Sequence, residues 1–272
     1  MSMIVVDLNG RPQAWPPLDR AWQFGDGVFR TVSIRDGHVQ DLVGQVAHLL
    51  HDAHLLKLDP LPDVEALCHA STALAAGHAR GRLKWIISGG DSAGGYARSG
   101  PPRTMLALSV LPDHYRSPDA LTAWRCETPL RPGSGWAGAK HLNRLDNVMA
   151  RTERDPKSWP EGIMCDAAGC PASGISSNLF GVRHDGQLVT HPLAHGGVHG
   201  RTRARILALA EHNGQAVQFA ALPWAQWQAE VAAAFVCNSL WGCVPLRAID
   251  DWAGEDCPQA DEINAALGLG FF

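Results

Sequence analysis

The stretch GAKHLNRLDNVMAR, residues 138–151, holds one of only four lysines in a chain that uses arginine 19 times. Lys140 follows a glycine pair, Gly135 and Gly138, and precedes a segment that reads as a helix from about Arg144. A lysine is nucleophilic only as the free amine, so a reactive one needs burial or cationic neighbours to lower its pKa. His141, Asn143 and Arg144 stand beside Lys140, between small residues and an apolar helix face. Composition alone leaves two readings open: a solvated lysine ahead of a helix, or an amine held ready for carbonyl chemistry. The other lysines are weaker candidates. Lys57 closes an amphipathic helix, Lys84 sits in a strand, and Lys157 follows Asp155-Pro156 in a loop.

Working outward, the chain has 272 residues, 46% of them hydrophobic and 18% charged, which suits a soluble globular enzyme of one large or two modest domains. A net charge of −4 without any basic run argues against nucleic acid as a partner. The seven cysteines contain no C-x-x-C pair and fit reduced thiols in the cytoplasm. The histidines show no metal-ligand spacing, so no metal is expected. The start, MSMIVVDLNGR, reads as a strand and turn rather than a secretory leader, and no apolar run is long enough for a membrane span. The expected partner is a small molecule.

Periodicity outlines an α/β architecture. VFRTVSIRDGHVQ alternates around Asp36-Gly37, a β-hairpin signal. From Asp41 to Leu58 apolar residues recur at three and four, which predicts an amphipathic helix, and a second helix follows Pro62-Asp63. RLKWIIS and RTMLALSVL read as strands joined by the glycine-rich loop GGDSAGGYARSGPP. Proline at both ends of PDHYRSP marks residues 114–118 as a linker between an N-terminal α/β domain, 1–113, and a C-terminal one, 119–272. Beyond it LTAWRCE, EGIMC, ISSNLFGV, QLVT and AAFVC read as strands, with helices from about Arg144 and Arg201.

Two further segments carry possible chemistry. LAHGGVHGRTRARILALA is a glycine-rich turn feeding a helix, where backbone N–H groups can hold a phosphate. Gly200, Arg201 and Thr202 would do so there, with the Thr202 hydroxyl as an added donor. In VCNSLWGCVP, Asn238 and Ser239 follow an apolar strand and either face a site or make a turn.

With these residues laid out, the chain resembles the fold type IV pyridoxal-phosphate (PLP) enzymes of aminotransferase class IV, and among them the aminodeoxychorismate lyases. Four blocks carry the match: LDRAWQFGDGVFRTV, LKWIISGG with GGYARSGP, GAKHLNRLDNVMAR, and SGISSNLFGV with LVTHPLAHGGVHGRTR. QFGDGVF and KHLNRL are the specific ones. The resemblance implies two α/β domains with PLP in the cleft between them, a homodimer, and Lys140 as the Schiff-base lysine and general base. It implies that Ser173, Asn178, Gly200, Arg201, Thr202, Asn238, Ser239 and His48 lie at the cofactor. A hydroxyl at Thr31 matches the position proposed to relay a proton to departing enolpyruvate, though a β-branched residue suits a strand equally well. The implied reaction cleaves 4-amino-4-deoxychorismate to 4-aminobenzoate and pyruvate. A class IV aminotransferase of the D-amino-acid type, or a relative with weakened or lost PLP binding, is the alternative.

Three positions depart from the family pattern. The glutamate expected against the pyridine nitrogen is Ser173. The arginine expected on the phosphate from the first helix falls at His48 or Leu49, and loss of that charge-assisted hydrogen bond is worth about 1.5–3 kcal/mol. An arginine expected after the IIS strand is Gly89. The cations left for a dicarboxylate substrate are Arg98 and Arg30, with Phe24 of QFGDGVF as a further substrate contact. A hydroxyl cannot hold the pyridine nitrogen protonated as a carboxylate does, so the ring is a weaker electron sink. That hampers transamination more than an elimination helped by aromatisation. Ser173→Glu is therefore expected to raise half-transamination relative to elimination when both rates are measured; an unchanged ratio contradicts the assignment.

Overall fold

The computed structural model describes residues 3–14, 16–92, 94–112, 115–133 and 135–270. It divides into two compact units, Met1–Tyr115 with Ala139–Arg144, and Arg116–Gly138 with Leu145–Phe272. The chain passes from the first unit to the second between Tyr115 and Arg116; of the linker read from the sequence, His114 lies outside the described residues, as does Asp113. The tract around Lys140 differs from the expected boundary. Residues 139–144 belong to the first unit, because their backbone pairs with a strand there.

In the first unit the elements are β1 (Met3–Val6), α1 (Arg20–Phe24), β2 (Gly27–Arg35), β3 (His38–Val39), α2 (Leu42–Leu55), α3 (Val64–Ala75), β4 (Arg80–Ser88) and β5 (Arg103–Val110). The sheet runs β1-β5-β4-β2-β3 with antiparallel pairing throughout. The hairpin, both helices and the two strands expected from the sequence are all present. Alternation along β2 and β4 sends Val28, Val32, Ile34, Leu83, Trp85 and Ile87 into one core with Val46, Leu49 and Ala53 of α2. The opposite face carries Phe29, Thr31 and Lys84, and Thr31 lies directly across from Lys84.

The second unit contains β6 (Leu121–Arg125), α4 (Leu145–Thr152), β7 (Glu161–Cys165), β8 (Pro171–Gly174), β9 (Asn178–Arg183), β10 (Leu188–Thr190), α5 (Arg201–His212), β11 (Val217–Phe219), α6 (Trp224–Glu230), β12 (Val231–Asn238), β13 (Gly242–Ile249), β14 (Trp252–Ala253) and α7 (Pro258–Leu267). Its sheet runs β11-β10-β9-β12-β13-β6-β7-β8, with β14 on β13. A bridge between Ser173 and Asn178 joins β8 back to β9 and closes the inner strands into a ring. ISSNLFGV is therefore not one strand: Ile175, Ser176 and Ser177 form the corner and β9 begins at Asn178. Among the described residues no helix is long and apolar enough to cross a membrane.

Candidate active site

The Lys140 tract bridges the N-terminal half of β2. Val28 bridges His141, Phe29 N–H donates to Lys140 O at 3.0 Å, and Leu142 N–H donates to Gly27 O at 2.8 Å. The two glycines of QFGDGVF make room for it. Gly25 ends α1 in the left-handed region at φ 62°, and a Cβ there would stand 3.1 Å from Asn143. A Cβ on Gly27 would meet Ile87 O at 2.5 Å and Leu142 at 2.8 Å. The QFGDG and KHLN motifs are thus two sides of one packing contact.

The side chain of Lys140 reaches the Phe29 ring, with Nζ 4.8 Å from the centroid, and Lys84 Nζ approaches the same ring at 4.6 Å. Among the described residues no carboxylate is paired with either amine. Burial, then the Arg144 and Arg30 guanidiniums and Lys84, push the Lys140 amine from an ordinary 10.5 to about 7, against the opposing pull of Asp52. Burial also lowers Lys84. At neutral pH a large share of Lys140 is therefore unprotonated, the state that carbonyl attack and proton abstraction require.

Thr31 is half-buried on β2 opposite Lys84. Arg30 points to the other face, where it is buried and bonds Asp52 at 2.7 Å. Arg98 is equally committed: it bonds Asp26 through Nε at 2.9 Å and Nη2 at 2.5 Å, and the carbonyls of Leu56 and Lys57 through Nη1. Burial works against the Asp26 charge, yet hydrogen bonds from Arg98 and Arg20 hold its carboxyl below the usual range. Each arginine is thus paired with a carboxylate of its own unit. Phe24 lies 5.4 Å from Tyr96 and under the Arg20 guanidinium at 4.9 Å, part of the cluster that anchors the glycine-rich loop. His48 is half-buried on α2, one turn before Asp52, with its ring 6.4 Å from that of His51.

The remaining expected residues gather in the second unit. Ser173 and Asn178, both buried, form the bridge that closes the ring of strands. Asn178 donates to Val198 O at 2.8 Å and accepts from Gly200 N–H at 3.1 Å, so it clamps the turn that opens α5. The first turn of α5 holds Arg201 and the buried Thr202, and the N–H groups of such a turn have no acceptor within the helix. Asn238 accepts from Leu240 and Trp241 N–H at 2.9 and 2.8 Å, building the β12–β13 turn that also holds the half-buried Ser239.

Three further residues stand out in the structure. Lys84, a weaker candidate in the sequence, lies across from Thr31 on the open face of the sheet, a place that follows from the alternation. Asp52 carries no sequence motif, and its bonds to Arg30 and to the Lys140 peptide appear only in the fold. Glu161 is fully buried and accepts from Ser176 Oγ at 2.8 Å and Ser177 Oγ at 3.0 Å, which holds the corner between Ser173 and Asn178. Burial raises its carboxyl despite those hydrogen bonds.

The amino-transferase class IV model matches residues 27–249. The chain belongs to that family. Its fold is the fold type IV architecture: the 4-amino-4-deoxychorismate lyase from Pseudomonas aeruginosa superposes with a TM-score of 0.86, at 31% identity and 98% coverage of both chains. Aminodeoxychorismate lyase of Vibrio harveyi is 29% identical over 254 residues, 89% of this chain and 90% of that one. The chloroplastic D-amino-acid transaminase of Arabidopsis thaliana is 28% identical over 77% of this chain and 57% of its own.

The lowered amine has a stability consequence. Folded Lys140 loses its proton near 7 and the unfolded chain keeps it to about 10.5, so wild-type stability climbs as pH rises through that window. Lys140→Met is therefore expected to stabilise the fold most below pH about 7, with the margin fading toward pH about 10. Urea unfolding at both ends of the range checks this; an equal margin at both contradicts it.

Proposed function

We propose that this chain is a PLP-dependent lyase that converts 4-amino-4-deoxychorismate to 4-aminobenzoate and pyruvate. The observation that carries the reading is the Lys140 amine, held near neutrality by burial and by cations that include Lys84, in a class IV chain similar over almost its whole length to two such lyases. Within the first unit Lys140 offers the unprotonated amine that an aldehyde cofactor requires. Within the second, the α5 start with Arg201 and Thr202 would suit a phosphate, and the resemblance assigns Ser173 to the ring nitrogen. When bound, PLP supplies the electron-accepting ring. Lys140 Nζ would be the base that takes the proton from the substrate carbon bearing nitrogen. The Thr31 hydroxyl would give a proton to the enolpyruvate oxygen as that group leaves with the electron pair of the carbon–oxygen bond.

Lys84 takes the part first given to Arg98 and Arg30. It is a half-buried cation directly across from Thr31, with no carboxylate paired to it among the described residues, so a substrate carboxylate can pair with it. Asn178 and Asn238 act as positioning residues for the turns they hold. The seven free thiols support a cytoplasmic location, and membership of class IV supports a homodimer. The second reading, a D-amino-acid aminotransferase, draws on the Arabidopsis relative and is disfavoured by Ser173.

Purified protein supplied with PLP is expected to release pyruvate and 4-aminobenzoate from aminodeoxychorismate. Lys140→Ala should abolish the release, and Lys84→Met should raise KM about tenfold or more, as loss of one charge-assisted contact requires. Amino transfer from D-alanine to 2-oxoglutarate without lyase turnover would replace this reading with the second.

A further inference from the structure

Arg30 occupies a position where the alternation of β2 calls for an apolar side chain. Its neighbours on that face, Val28, Val32 and Ile34, are at most 1% exposed, and its cross-strand partner Trp85 is fully buried. Arg30 and Asp52 are themselves 3% and 2% exposed. Burying such a pair rarely adds stability over apolar residues of like volume, so packing does not account for it. What the pair does contact is the Lys140 peptide. Asp52 Oδ2 accepts from Arg30 Nη2 at 2.7 Å and from Lys140 N–H at 3.2 Å. On the other side, Lys140 O accepts from Phe29 N–H. Both peptide groups of Lys140 are thereby fixed, one by the sheet and one by the ion pair.

We propose that the buried Arg30–Asp52 pair is the positioning device of Lys140: it pins that residue's backbone and sets the electrostatic field at its amine by opposed charges. The proposal deepens the reading of Lys140 as the cofactor lysine and rests on it for its functional meaning. Its physical content concerns the chain alone. The charged and titratable groups around Lys140 are His141 and Arg144 on its own tract, Arg30 on β2, His48, His51 and Asp52 on α2, and Lys84 on β4. Of the pair, Arg30 disfavours the ammonium and Asp52 favours it. Neutralising Asp52 while Arg30 stays charged must therefore lower the amine's titration midpoint, and neutralising Arg30 as well must bring it back up. Loosened packing would instead raise the midpoint in both variants, toward that of a solvated lysine.

With only four lysines, the Cε resonances of 13C-lysine-labelled, cofactor-free full chain can be followed one by one, and Lys140→Arg assigns the one of interest. In Asp52→Asn, which keeps an acceptor for the Lys140 N–H, the midpoint is expected to fall by about 0.5 pH unit or more. In Arg30→Gln/Asp52→Asn it is expected to rise again by a similar amount. A midpoint unchanged in Asp52→Asn, or one that climbs in both variants, overturns the proposal. Arg30→Met/Asp52→Leu, an apolar pair suited to the core, guards against misfolding. There the Lys140 amide should exchange about tenfold faster relative to that of Trp85, for want of its acceptor, and an unchanged ratio again overturns the proposal. Because no cofactor is present, failure of PLP to attach to Lys140 would sink the functional reading and leave these outcomes independent of it.

Discussion

An amine that is to attack a carbonyl must be kept from becoming an ammonium, and the rest of this site follows from that constraint. Lys140 satisfies it through its surroundings: partial burial against the Phe29 ring, and Arg144, Arg30 and Lys84 as cations that a further positive charge must oppose. Asp52 is the one carboxylate among these influences, and it spends its Oδ2 on the Lys140 peptide and Arg30 rather than on the amine.

The same economy explains why QFGDGVF is so specific. Its glycines are demanded by close approach of the Lys140 tract, and its aspartate joins Arg20 and Arg98 below the glycine-rich loop. In the second unit, Ser173 and Asn178 close the ring of strands, Glu161 braces the corner between them, and Asn178 reaches on to the turn ahead of α5. The residues named for chemistry there are also residues on which local folding depends.

How much of this was legible in the sequence varied with the physics behind each signal. The Lys140 tract, the Asp36-Gly37 hairpin and the helix after Asp41 were readable because glycine placement and strict periodicity leave few alternatives. The corner at Ile175–Ser177 was not, since an alternating apolar run looks the same whether it stays straight or turns onto a neighbouring strand. Residues 139–144 follow the expected linker in sequence yet pair with β2, and such long-range pairing leaves no local trace. Arg98 and Arg30 illustrate a related point: sequence shows a cation but not the carboxylate paired with it. Lys84 ranked below Lys140 and Asp52 was not singled out, because the contacts that distinguish them are made with residues far along the chain.

The central claim is that Lys140, and no other lysine, presents a reactive neutral amine to the cofactor aldehyde. Treating the purified full chain with PLP, reducing with borohydride and mapping the modified peptides tests it directly. The account predicts a single pyridoxyl group on the peptide containing Lys140. No label, or label spread over Lys57, Lys84 and Lys157, would contradict it.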